Sequence, residues 1–127
     1  MKHNPIVTKS FHFSVEIVTL YQYLMREHRE FVLSKQLLRS GTSVGANITE
    51  AQDAQSKKDF ISKMSISLKE AKETRYWLFL LEECGYLNKE VTITTYKKRS
   101  FKLAELFFHI EELIKILSSI VKTSKQQ

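Results

Sequence analysis

Residues 36–51, Gln36-Leu37-Leu38-Arg39-Ser40-Gly41-Thr42-Ser43-Val44-Gly45-Ala46-Asn47-Ile48-Thr49-Glu50-Ala51, decide the fold class. Leu37, Leu38, Gly41, Val44, Gly45, Ile48 and Ala51 recur at steps of three and four, the spacing of one helical face. Two glycines on that face need a reason, since each costs roughly 1 kcal/mol against alanine inside a helix. Close approach of a second backbone, nearer than the ~8–10 Å usual between helix axes, would supply one. A second stripe, Arg39, Ser43, Asn47 and Glu50, places polar groups about one turn apart on another side. The stretch reads as a helix touched on more than one side.

Upstream, Asn4-Pro5 is a cap followed by a proline suited to a first helical turn. Phe13, Ile17, Leu20 and Leu24 then repeat along one face, and the polar interval Glu27–Glu30 lets the chain turn. Downstream, Ser56-Lys57-Lys58-Asp59 has the form of a capping box with Asp in place of Glu. Ile61, Met64, Leu68, Ala71, Leu78 and Leu81 follow in register until Cys84-Gly85, where glycine accepts the left-handed conformation that closes a helix. Tyr96, Leu103, Ile110 and Leu117 interleave with Ser100, Phe107, Ile114 and Val121 as two seven-residue series, the pattern of a bundle seam. The spacing predicts helices over about 5–26, 32–54, 57–84 and 93–121, with a tail that frays. Short turns between long helices favour antiparallel neighbours, so the expected fold is all-α, an up-down-up-down four-helix bundle.

The 127 residues fit one domain, 1–127, with no internal repeat or linker. The lone Cys84 excludes an internal disulfide, and three glycines with one proline are too few for a loop-rich β protein. Without a signal-like N-terminus or a membrane-length apolar run, the expected address is the cytoplasm, with no membrane partner.

More apolar surface is present than one monomeric core needs. Phe101, Ala104 and Phe108 fall off the main seam of the last predicted helix. Tyr76, Trp77, Phe79 and Leu80 surround the third, and Phe11 and Phe13 begin the first. Contiguous aromatic surface marks an interface, so self-association is expected, with Gly41, Gly45, Asn47, Trp77, Phe101 and Phe108 as interface or close-packing candidates. The plainer alternative packs Trp77 and Phe79 under the connection 88–95.

Catalytic and metal chemistry find little support. A di-iron bundle needs Glu-x-x-His on two helices, and the chain has no such motif. The four histidines are scattered, no histidine follows an arginine by four to six residues as in four-helix toxin ribonucleases, and no glycine-rich phosphate loop occurs. We therefore expect no enzyme, metal or cofactor.

Net charge of +6 and a pI near 9.4 fit a polyanionic partner. Up-down topology would gather Lys2, Lys9, Lys57, Lys58, Lys63, Lys122 and Lys125 at one end. Arg26, Arg29, Lys35, Lys89, Lys97, Lys98, Arg99 and Lys102 would gather at the other, leaving a slightly acidic waist. Lys57-Lys58 and Lys97-Lys98-Arg99 are placed in or near first helical turns, where the dipole disfavours cations by about 0.3–1 kcal/mol each. Lys57, Lys58, Lys97, Lys98, Arg99, Lys102 and Arg39 are thus the nucleic-acid-binding candidates. Arg39 has a structural reading that ranks first, pairing with Glu70 or Glu73.

The run "QLLRSGTSVGANITEA", with "SKKDFISKMSISLKEAKETRYWLFLLEECGYL" after it, resembles the small four-helix-bundle proteins known as 23S rRNA intervening-sequence proteins. The resemblance spans about residues 9–117, and the glycine-bearing helix is its most specific part. It implies a ring-shaped homopentamer with a nucleic-acid role. A related branch serves as accessory proteins of diversity-generating retroelements, partnering a reverse transcriptase. The family has no agreed enzymatic activity, so no catalytic residue carries over. The expected function is a non-catalytic, basic homo-oligomeric scaffold that binds RNA, DNA or a ribonucleoprotein through its charged ends. The alternative is a protein-only adaptor that docks a partner enzyme such as a reverse transcriptase.

Overall fold

The computed structural model describes residues 4–127; Lys2, counted above among the end cations, and His3 lie outside the described residues. The chain runs α1 (Pro5–His28), α2 (Leu33–Ala51), α3 (Lys57–Glu83), β1 (Thr92–Thr94), β2 (Ser100–Lys102) and α4 (Ala104–Gln126). It is mostly helical and bundle-like, with one small two-stranded sheet.

Capping residues set most helix ends. Asn4 accepts from the Ile6 amide at 3.3 Å ahead of Pro5, as its sequence position predicts. Ser56 accepts from the Asp59 amide at 3.0 Å, while the Asp59 carboxylate reaches past Ser56 to the Gln55 amide at 3.3 Å. Gly85 has φ 84° and bonds back to Glu82, while Tyr86 bonds back to Leu81, a Schellman closure. The start of α2 carries no cap of the usual sequence form. Its cap is the Glu30 carboxylate, which accepts from the amides of Val32, Leu33 and Ser34 at 3.2, 2.9 and 2.7 Å. Burial pushes this carboxyl up, but the three amides outweigh burial and hold it below the usual carboxylate range.

The glycines of α2 meet α1 within the same chain. A Cβ on Gly41 would stand 2.8 Å from Ile17 Cγ2, and one on Gly45 would stand 3.2 Å from the Ser10 carbonyl oxygen. This close packing belongs to the monomer fold, so neither glycine marks an interface between copies. On the other side of α2, Ser67 donates to the Val44 carbonyl at 2.8 Å and Thr74 to Ser40 at 2.9 Å, both buried. Further round, Arg75 of α3 meets Glu111 of α4 at 3.2 Å, and Lys9 of α1 meets Glu112 at 3.3 Å. Phe13, Ile17, Leu20, Leu37, Ile48, Met64, Leu78, Leu106 and Ile110 fill the core between the helices.

The main departure from expectation lies at 92–103. Instead of opening the fourth helix, this segment forms a β-hairpin, with Ile93 opposite Phe101, and α4 begins at Ala104. Val91-Thr92-Ile93-Thr94-Thr95 is a β-branched run, which loses side-chain freedom in a helix and favours strands. Burial alternates with period two, since Ile93 and Phe101 point inward while Thr92, Thr94, Ser100 and Lys102 point out. Phe101 is 3% exposed and part of the core, which removes it from the candidate self-association surface. Helix α2 stops at Ala51 rather than 54, where the side chain of Gln52 turns back onto the Ile48 carbonyl at 2.9 Å and accepts from Asn4 at 3.0 Å.

Candidate nucleic-acid interface

The hairpin does not extend the end of the molecule. Thr92, Ile93 and Thr94 share a cleft of about 320 Å³ with Thr19, Gln22, Tyr23 and Arg26 of α1. Beyond the strands, Arg99 reaches Glu16, near the middle of α1. The hairpin therefore folds back along α1, carrying Lys97, Lys98 and Arg99 from the expected bundle end to the flank. It also removes them from any helix first turn, so the dipole argument does not apply to them. Lys57 and Lys58 do occupy the first turn of α3, as expected.

Three residues close the hairpin loop, Tyr96, Lys97 and Lys98. Thr95 donates its amide to the Arg99 carbonyl at 2.9 Å, and the Lys98 amide returns to the Thr95 carbonyl at 2.9 Å. The Arg99 amide adds a bond to Thr95 Oγ1 at 3.1 Å. Lys98 has φ 69°, the left-handed value usual for the last residue of such a loop and rarely taken by lysine.

Glu16 anchors this structure. Its carboxylate is 2% exposed and accepts from Arg99 Nη1 at 3.0 Å; its other oxygen lies 2.9 Å from His109 Nδ1 of α4. Burial is the largest single influence and pushes Glu16 up, yet the bonds and charges of His109 and Arg99 together hold it below the usual carboxylate range. The Glu16 hydrogen bond raises His109 against the opposing effect of its partial burial. An open pocket of about 170 Å³ lies here, bordered by Lys9, His12, Glu16, Arg99, His109 and Glu112. Sequence reasoning does not reach this hub. The available signal is a carboxylate beside the Phe13–Ile17–Leu20 stripe, but nothing local names partners 83 and 93 residues away.

The remaining candidates divide by how their charge is used. Lys97, Lys98 and Lys58 are exposed and have no carboxylate partner among the described residues. Lys57 is also exposed, and its ammonium contacts the backbone carbonyl of Gln127. Lys102 pairs loosely with Glu90 at 3.5 Å, both well exposed. Arg99 is committed to Glu16. Arg39 bonds Glu70 at 3.1 Å and also Glu73, which in turn accepts from Trp77 Nε1 at 3.0 Å. Arg39 thus clamps α2 to α3, the structural role ranked first for it.

Among the interface candidates, Phe108 is 70% exposed, with Phe11, Tyr76 and Phe79 also open to solvent. Trp77 is half-buried against the core. The connection before the hairpin covers part of the α3–α4 aromatic edge, where Lys89 sits 4.5 Å over Phe107 and Phe79 meets that ring edge-on. Asn47 donates to the Ser43 carbonyl of its own helix at 2.8 Å. Among the described residues, no helix is long and apolar enough to cross a membrane, and no three metal-ligating side chains cluster.

Four helices with a small two-stranded hairpin before the last make this a small, mostly helical protein. The chain matches the family described as 23S rRNA-intervening sequence protein over residues 2–119, and it belongs to that family. It is also similar to the crystal structure of a protein with unknown function from the S23 ribosomal protein family of Bacteroides thetaiotaomicron VPI-5482. The two share 47% identity with a TM-score of 0.81, over 92% of this chain and 98% of that one. No curated protein matches the chain.

Proposed function

We propose that this protein is a non-catalytic, basic scaffold that binds nucleic acid or a ribonucleoprotein in the cytoplasm, through its charged end and its hairpin flank. The carrying observation is that Lys97, Lys98 and Lys58 are exposed and unpaired among the described residues, in a chain of net charge +6. Phosphates satisfy such groups by counterion release, without sequence preference. The family's name, tied to ribosomal RNA, supports the same partner class. The scaffold is an antiparallel four-helix bundle that associates with itself through exposed aromatic side chains such as Phe108. The family resemblance implies a ring of five, which would repeat the basic surface in every copy. The second reading, an adaptor docking a partner enzyme such as a reverse transcriptase, draws on the same open aromatic surface.

Anisotropy of labelled RNA and DNA, titrated between about 50 and 200 mM salt, separates the two. Binding should fall steeply with salt and depend little on sequence. Lys57→Glu with Lys58→Glu, or Lys97→Glu with Lys98→Glu, should flatten the slope by about 0.7–0.9 for each phosphate no longer neutralised. The single change Lys115→Glu on α4 should do much less per charge altered. Equal effects everywhere would mean that only net charge matters. Absence of binding at low salt would leave the adaptor reading in its place.

A further inference from the structure

We propose that the hairpin tip is a stacking platform for single-stranded nucleic acid, with an unpaired base on Tyr96 and the flanking phosphates on Lys97 and Lys98. The inference rests on the nucleic-acid reading above and adds the form of the ligand and the residue that selects it.

Tyr96 is 95% exposed, more than any other large hydrophobic side chain among the described residues. A ring so open covers no core, so its own fold gains almost nothing from its being aromatic. The tip that carries it is nevertheless fixed in place. The paired strands, the Thr95–Arg99 and Thr95–Lys98 backbone bonds and the Thr94–Ser100 hydroxyl contact at 2.9 Å hold the loop in shape. Arg99, next to the loop, is tied to the buried Glu16 carboxylate at 3.0 Å. A ligand would therefore meet a loop whose backbone is already ordered, leaving only the Tyr96 and lysine side chains to settle.

The surroundings select the class of ligand. An aromatic anchor for a protein partner normally sits among other apolar groups, where lysine is depleted. Tyr96 instead shares its three-residue loop with two lysines that have no carboxylate partner among the described residues. An aromatic face among cations is the combination by which single strands are held, bases stacked and backbone neutralised. Bases in a duplex are already stacked on each other, so for them the tip supplies only charge.

The test compares the full chain with Tyr96→Ala and Tyr96→Phe, binding one oligonucleotide as a single strand, as its duplex, and as a strand with abasic sites, each in RNA or DNA form. Helicity and melting should be unchanged, because the side chain is exposed. Tyr96→Ala should weaken single-strand binding by about 5- to 150-fold, the range for losing one stacked base. Tyr96→Phe should keep it, duplex and abasic binding should barely move, and the salt slope should stay the same. Equal losses for single strand and duplex would overturn the proposal, as would a loss confined to RNA, which would mark a ribose-hydroxyl contact instead. If Tyr96→Ala binds single strands as the parent does, stacking is refuted while salt-dependent binding still upholds the nucleic-acid reading. If the parent binds no form at low salt, that reading falls and this one with it.

Discussion

Replacing Gly41 by alanine sets two known effects against each other at one atom. Alanine is the better helix former by roughly 1 kcal/mol, so on a free helix face the change would stabilise. Here the new Cβ would lie 2.8 Å from Ile17 Cγ2 and 2.9 Å from Cγ1. Ile17 is fully buried, and a β-branched side chain in a helix has essentially one rotamer, so it has nowhere to turn. Overpacking of this kind costs about 1–3 kcal/mol, which leaves Gly41→Ala net destabilised by about 0–2 kcal/mol. Gly45→Ala should also lose stability, because its neighbour at 3.2 Å is the Ser10 backbone carbonyl and relief requires the helices to part. Leucine at either position should cost more than alanine. The readout is the urea midpoint at fixed protein concentration, so that the proposed self-association would weigh equally on every variant compared. Ile17→Ala removes both offending γ carbons, so the double variant with Gly41→Ala should be less destabilised than the sum of the two, by about 0.5–3 kcal/mol. A Gly41→Ala protein more stable by the full propensity difference, with additive behaviour alongside Ile17→Ala, would refute the close-packing account of α2.

Two further outcomes follow from the hub and the aromatic surface. Glu16 sits below its ordinary 4.5, so its contribution is present above that value and is lost as pH falls through the depressed one. His109 sits above its ordinary 6.5, so its contribution is full below that value and is lost as pH rises through the raised one. Glu16→Gln should therefore destabilise by about 1–3 kcal/mol, most between about pH 4.5 and 6.5, as charge-assisted bonds to half-exposed partners suggest; urea midpoints that differ equally at every pH would contradict the pairing. Phe108→Glu should break self-association and leave helicity intact, whereas Phe101→Glu should unfold the chain, because only the first side chain is exposed. Light scattering and circular dichroism read the two, and an assembly that tolerates Phe108→Glu would move the interface elsewhere.

The helices are legible where local chemistry decides them. Asn4-Pro5, Ser56 and Cys84-Gly85 act through neighbours a few residues away, and each does what its position implies. The two-glycine stripe shows that something approaches closely, but not that the neighbour is α1 of the same chain. The hairpin escapes the sequence pattern because Tyr96 and Leu103 happen to continue the seven-residue series of α4 backwards. The β-branched run 91–95 is the stronger signal, and Pro or Gly, which would have punctuated it, is absent. Arg39 with Glu70 and Glu73 is readable because α2 and α3 follow each other across a short connection, which brings those positions level. Arg99 with Glu16 is not, because a hairpin that folds back along the flank obeys no helical register.

The Glu16 hub also bears on the order in which the chain assembles. The seams α1–α2 and α2–α3 join consecutive elements through short connections, and α3–α4 closes across the intervening hairpin, so all three bring together residues much nearer in sequence than the partners of Glu16. The bonds from Glu16 to Arg99 and His109 span 83 and 93 residues, and the loop-closure entropy of such contacts is met last unless other contacts have already brought the ends together. The first and last helices are then expected to join after the other seams have formed, with the buried carboxylate acting as a late latch. A late contact contributes to the unfolding barrier more than to the folding rate, so Glu16 should show a φ-value near zero. In kinetic terms the hub would slow opening: it holds the basic hairpin and the two outer helices together once they have met.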